Sequence, residues 1–128
     1  WIEAREPYAA VLVPLFRAID RLALPAVTSA ATLLEVLVAP LRAGDLALAA
    51  RYEAHLTRGR GLRLVEIDRA LLRAAAHLRA ATGMRTPDAL QVASALGARA
   101  TSFLTNDRDL PPVGGTRVLK LRDYVPKR

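Results

Sequence analysis

Residues 85–110, RTPDALQVASALGARATSFLTNDRDL, read as a helix, a short strand and a polar loop in direct succession. Thr86 suits a helix cap and Pro87 the first helical position, where a missing N–H costs nothing. Asp88 falls in the first turn, where the helix dipole favours a carboxylate. Ala89, Leu90, Val92, Ala93 and Leu96 form a wide apolar stripe at helical spacing, and Gly97 marks the helix end. Residues 101–104 form the strand, which stops at Thr105-Asn106-Asp107. A helix that hands its apolar face to the next strand is the repeating unit of a parallel α/β sheet, whose functional groups gather at the carboxyl ends of its strands.

The rest of the chain extends this pattern. A helix is expected over residues 7–21, with Leu12, Leu15, Phe16 and Ile19 inward and Pro14 calling for a kink or a late start. Residues 24–28 read as a strand, and Thr28 or Ser29 caps a helix to Leu41 or Arg42. Its stripe of Leu34, Leu37, Val38 and Leu41 is expected to face the core, with Glu35 at the stripe's edge. Gly44 breaks that helix and Asp45 caps the next, with Leu46, Ala49, Ala50 and Leu56 on one side; the two form a helical hairpin. Residues 58–61 make a basic flexible turn and residues 62–67 a strand. Asp68 caps a helix ending near Gly83, with Leu71, Leu72, Ala75 and Leu78 inward. After the 85–110 unit, residues 111–115 turn the chain into a last strand, 117–121, and residues 124–128 form a frayed tail.

The length of 128 residues suits one domain, and the 52% apolar content with only 5% aromatic calls for an aliphatic core. The absence of cysteine excludes disulfides, thiolate nucleophiles and zinc–sulfur sites, and suits a reducing cytoplasm. No secretory signal or membrane span is read from the sequence. The net charge is +7, and seventeen of the 19 basic residues are Arg, the side chain best shaped for bidentate phosphate contacts. A polyanionic partner is one reading of that charge; a GC-rich coding sequence, which yields Arg and Ala whatever the function, is the other.

Three acids stand out. Glu35 has Ala31, Thr32, Val38 and Ala39 at i±3 and i±4, so no helical neighbour offers it a cation. Asp88 opens a helix and Asp107 follows a strand. Each also has an ordinary explanation, Asp88 as a helix-dipole acid and Asp107 as a turn residue. His55 and His77, on helices rich in Ala and Arg, are assigned no role.

RTPDALQVASAL followed by TSFLTNDRDL resembles the C-terminal half of a PIN-domain nuclease of the VapC toxin type, and VTSAATLLEVL resembles that family's second acidic motif. The resemblance covers nearly the whole chain in order and spacing. It implies a PIN-like three-layer α/β sandwich, a largely parallel sheet flanked by helices with a protruding helical hairpin, as a single domain over residues 1–128. It further implies a metal-dependent endoribonuclease, the toxin of a type II toxin–antitoxin pair, commonly a homodimer. Glu35, Asp88 and Asp107 match three of the family's catalytic and metal-binding acids; Thr105 and Asn106 match polar residues that support the metal site, and Asp109 a less constant acidic position. The family's first strand, which ends in Asp followed by Ser or Thr and supplies a first ligand, has no counterpart in this sequence. WIEAREPYAA resembles the segment after it, Glu3 and Glu6 are not at the matching position, and about ten further residues are expected upstream.

Clustered carboxylates repel, and Mg²⁺ or Mn²⁺ suits an all-oxygen site that relieves the repulsion. Arg85 and Arg108, flanking the two aspartates, are the first candidates for RNA phosphate contacts; Arg58, Arg60 and Arg63 form a secondary patch. The cognate antitoxin is expected over the helical hairpin. Two other readings stay open: a nuclease acting on structured DNA, and a non-catalytic RNA- or antitoxin-binding domain.

Overall fold

The computed structural model describes residues 8–127. Pro7, Glu3, Glu6 and Arg128 lie outside the described residues. The chain runs α1 (Ala9–Asp20), β1 (Ala26–Ser29), α2 (Ala31–Arg42), α3 (Leu46–Arg58), β2 (Leu62–Val65), α4 (Arg69–Thr82), α5 (Thr86–Gly97), β3 (Ser102–Thr105) and β4 (Arg117–Lys120), then a 3₁₀ turn, Leu121–Tyr124. This is the expected alternation of helices with parallel strands. β1 pairs with β2, Ala26 opposite Leu62, and β3 pairs with β4, Ser102 opposite Arg117, both in parallel. The two pairs are separate two-stranded sheets, and among the described residues no strand joins them.

Local chemistry accounts for most element ends. The Asp45 and Asp68 carboxylates accept from Leu48 N (3.0 Å) and Leu71 N (2.8 Å), capping α3 and α4 as their sequence positions require. α1 passes through Pro14 without interruption, so the late start is not seen. Gly44 and Gly83 end α2 and α4 in the left-handed conformation. Leu22 and Arg99 adopt it too, after α1 and α5, closed by Ala23 N to Ala18 O and Ala100 N to Ala95 O, both 2.9 Å. Gly97 is the last residue of α5, as expected, and the left-handed conformation falls on Arg99 two residues later. Arg85, with no side-chain cap bond, holds the N-cap of α5; Thr86 is already helical and Pro87 follows it.

The core lies between α4, α5 and the second sheet. Ala75, Met84, Ala89, Val92, Ala93 and Leu110 are buried there, with Leu71, Leu78, Leu90, Leu96, Phe103 and Val118 packed against them. Val92 is 0% exposed, a burial that contributes roughly 1.5–3 kcal/mol. α5 is thus the central helix, and its small residues allow close approach: Ser94, also buried, satisfies its hydroxyl on Leu90 O at 2.7 Å.

Five of the large apolar side chains expected inward are exposed. Leu34 (70% exposed), Val38 and Leu41 on α2 face outward, as do Leu46 (70%) on α3 and Leu72 on α4. α2 instead buries Pro40 and half-buries Leu33, Val36 and Leu37, because it is apolar almost all round and periodicity alone could not choose its inner face. No helix among the described residues is long and apolar enough to cross a membrane.

His55 on α3 is half-buried, and burial pushes its imidazole below the ordinary histidine value, against the pull of the Asp20 carboxylate. A lowered folded pKa means the unfolded chain binds more protons. Stability is therefore full above the ordinary histidine range and falls as pH drops through it toward the folded value. Melting at pH 7.5 and pH 5.5 is expected to show a loss on acidification that is smaller in His55→Gln.

Candidate active site

A cleft of about 1460 Å³ runs between α1, α2, α3, α5 and the strands of both sheets. Glu35 from α2 and Asp88 from α5 both line it, joined by Thr105 and Asn106 from the end of β3. Glu35 is exposed, and among the described residues no hydrogen bond or ion pair holds its carboxylate. Asp88 sits in the first turn of α5, and the Arg85 Nε donates to its Oδ2 at 3.3 Å. The Arg85 side chain is 80% exposed against 24% for Asp88, so the pair orients Asp88 more than it stabilises the fold.

Asp107 is placed differently. Its N–H donates to Thr105 Oγ1 (3.0 Å) and its Oδ1 accepts from Asp109 N (2.9 Å), so the carboxylate is engaged in its own loop. It is not among the residues lining the cleft, nor is Asp109, which is exposed. Among the described residues, no three side chains of the Asp, Glu and His kind gather closely enough to hold a metal ion between them. Two carboxylates lining one cleft with a hydroxyl and an amide oxygen are nonetheless a hard, all-oxygen donor set. Mg²⁺ keeps much of its water and takes one or two carboxylates, so this set fits a hydrated ion of that kind.

Lys120 ties the Asp107 loop to β4. Its Nζ donates to Asp107 O (2.7 Å) and Leu110 O (3.1 Å), with Arg108 O at 3.5 Å. Three carbonyls converge on one ammonium, and charge-assisted bonds of this kind are the strong ones. Lys120→Met keeps the aliphatic stem and removes the donor. It is expected to cost roughly 1.5–3 kcal/mol and to speed amide exchange across residues 107–110; unchanged exchange in that loop would contradict the clamp.

The arginines distribute unevenly. Arg63 and Arg99 line the main cleft, and Arg99 had no signal in the sequence beyond its charge. Arg60 and Arg63 line a shallower depression of about 420 Å³, with Arg58 exposed at the end of α3 beside it and Arg108 exposed on the Asp107 loop. Thr28, Thr32 and Gln91 also line the cleft. Helical spacing alone could have pointed to two of them: Thr32 is three residues before Glu35 and Gln91 three after Asp88, on the same faces as the two acids.

No curated protein and no solved structure matches the chain. The family model of the PIN domain matches residues 1–115, well over half of the 128 residues, and the mixed α/β architecture with parallel strands agrees with it. The chain belongs to the PIN domain family, whose members are in general nucleases.

Proposed function

We propose that this chain is a divalent-metal-dependent endoribonuclease, the toxin of a toxin–antitoxin pair acting in the cytoplasm, with Mg²⁺ or Mn²⁺ as its ion. The observation that carries this reading is that Glu35 and Asp88 line one cleft, which Thr105 and Asn106 also line. A bound divalent ion supplies Lewis-acid stabilisation of the charge that builds on the attacked phosphate. Glu35 and Asp88 would hold it, with Thr105 and Asn106 as candidates to orient its water. Glu35, exposed and without a partner among the described residues, would be the candidate to accept the proton of the attacking water. Arg85 donates to Asp88 and orients its carboxylate. Arg63 and Arg99 neutralise phosphates inside the cleft, while Arg58, Arg60, Arg85 and Arg108 guide the flanking RNA. The Asp107 carboxylate would be free to help hold the ion only without its bond from the Asp109 N–H, and Asp109 would be a further candidate on the same loop.

The partner reading rests on a second surface. Leu34, Val38, Leu41 and Leu46 are exposed along the α2–α3 hairpin, on a chain of net charge +7. An antitoxin segment with acidic and apolar residues complements both features, and a homodimer gives the toxin its working form. The engaged state of Asp107 favours a second reading, a domain that binds RNA without cutting it. Incubating the purified chain with total RNA and with branched duplex DNA, with Mn²⁺ or with EDTA, separates these readings. The proposal expects RNA fragments with defined ends only when Mn²⁺ is present; retained RNA binding without cleavage supports the second reading.

A further inference from the structure

Gln91 closes a ring of hydrogen bonds between the elements that carry the two acids. Its Nε2 donates to Thr32 Oγ1 at 2.7 Å, and its Oε1 accepts from Ser29 N at 3.1 Å and from Thr28 Oγ1 at 3.4 Å. The Ser29 N–H can only donate, so the amide has one possible orientation. A 2.7 Å bond between the Thr28 and Thr32 hydroxyls completes the ring.

The ring sits one helical turn from the acids. Thr32 precedes Glu35 by three residues, Gln91 follows Asp88 by three, and all four line the same cleft. α2 and α5 otherwise meet sparsely, and the ring ties both of them to β1. We infer that Gln91 and Thr32 are positioning residues that set the separation of the Glu35 and Asp88 carboxylates and so the affinity of the cleft for a divalent ion. This rests on the metal-dependent reading above.

Mn²⁺ binding to the RNA-free protein, followed by the loss of free-ion signal in electron paramagnetic resonance, reads the effect without activity. Thr32→Val keeps the shape of the side chain and removes the hydroxyl; Thr32→Ser keeps the hydroxyl. Supporting partners of metal ligands typically matter by roughly 10–100-fold, and Thr32→Val and Gln91→Leu are each expected to weaken Mn²⁺ binding by that factor. Thr32→Ser is expected to bind within about threefold of the wild type, because its hydroxyl still completes the ring. Should Gln91→Leu fail to fold, the Thr32 pair still decides. Wild-type Mn²⁺ binding that Thr32→Val leaves unchanged would overturn this inference alone. Absence of Mn²⁺ binding in the wild type would overturn the functional reading and this inference with it.

Discussion

Asp88→Asn is expected to abolish Mn²⁺-dependent RNA cleavage, a loss on the order of 10³-fold or more, while the domain stays folded. The substitution is isosteric and removes one anionic oxygen from a cleft where Glu35 offers the only other carboxylate among the described lining residues. Losing part of an ion's hold on the attacked phosphate forfeits several kcal/mol of transition-state stabilisation, and each 1.4 kcal/mol is about tenfold in rate. The structural cost is small by comparison. Asp88 contributes a helix-dipole interaction of ~0.3–1 kcal/mol and an exposed-side pair with Arg85, and Asn retains an acceptor for the first turn of α5. Cleavage rates and circular-dichroism melts on the same preparation separate the two roles. An acid serving only the helix would shift the melt and leave cleavage intact.

The second large effect falls at the start of β2. Gly61→Ala is expected to destabilise the domain by about 3 kcal/mol or more, the upper end of overpacking costs. Gly61 lies just before β2, and its carbonyl accepts from Ala26 N at 3.3 Å, extending the β1–β2 pairing. A β-carbon there would collide with the main-chain carbonyl of Ile19, a residue buried at the end of α1. The obstacle is backbone and cannot step aside as a side-chain tip would, so α1 or the start of β2 must move. Gly114→Ala is the matched control, because nothing lies near a β-carbon at that position and the change should stay within about 0.5 kcal/mol. For a domain of this size the Gly61 variant should melt roughly 10 °C lower. A melt indistinguishable from that of Gly114→Ala would show that the approach of Ile19 is not what the structure describes.

Gly61 also shows what a sequence can and cannot disclose. Beside Arg58, Gly59 and Arg60 it reads as part of a flexible turn, and its close contact with Ile19, 42 positions earlier, has no local signature. α5 was legible for the opposite reason. Its stripe is apolar on one broad face, its small residues leave no alternative packing, and its burial followed. α2 was not, since Leu34, Val38 and Leu41 match the helical period as well as Leu33, Val36 and Leu37 do. Only the neighbours α3 and α5 decide which row turns inward. Glu35 and Asp88 announced themselves by residue type in places where nothing local explained one and strand order favoured the other. Thr28, Thr32 and Gln91 are common polar residues whose meaning lies in bonds spanning 59 to 63 positions. Asp107 was legible as an acid after a strand, while its engagement with Asp109 N depends on a loop conformation that Lys120 holds from β4.

Crystals of the protein soaked in Mn²⁺ and measured at a wavelength where manganese scatters anomalously would test the shared cleft most directly. One anomalous peak is expected within coordination distance of both Glu35 and Asp88, absent after soaking Glu35→Gln crystals. A peak bound elsewhere, or a cleft that stays without one at millimolar Mn²⁺ in the wild type, would contradict that expectation.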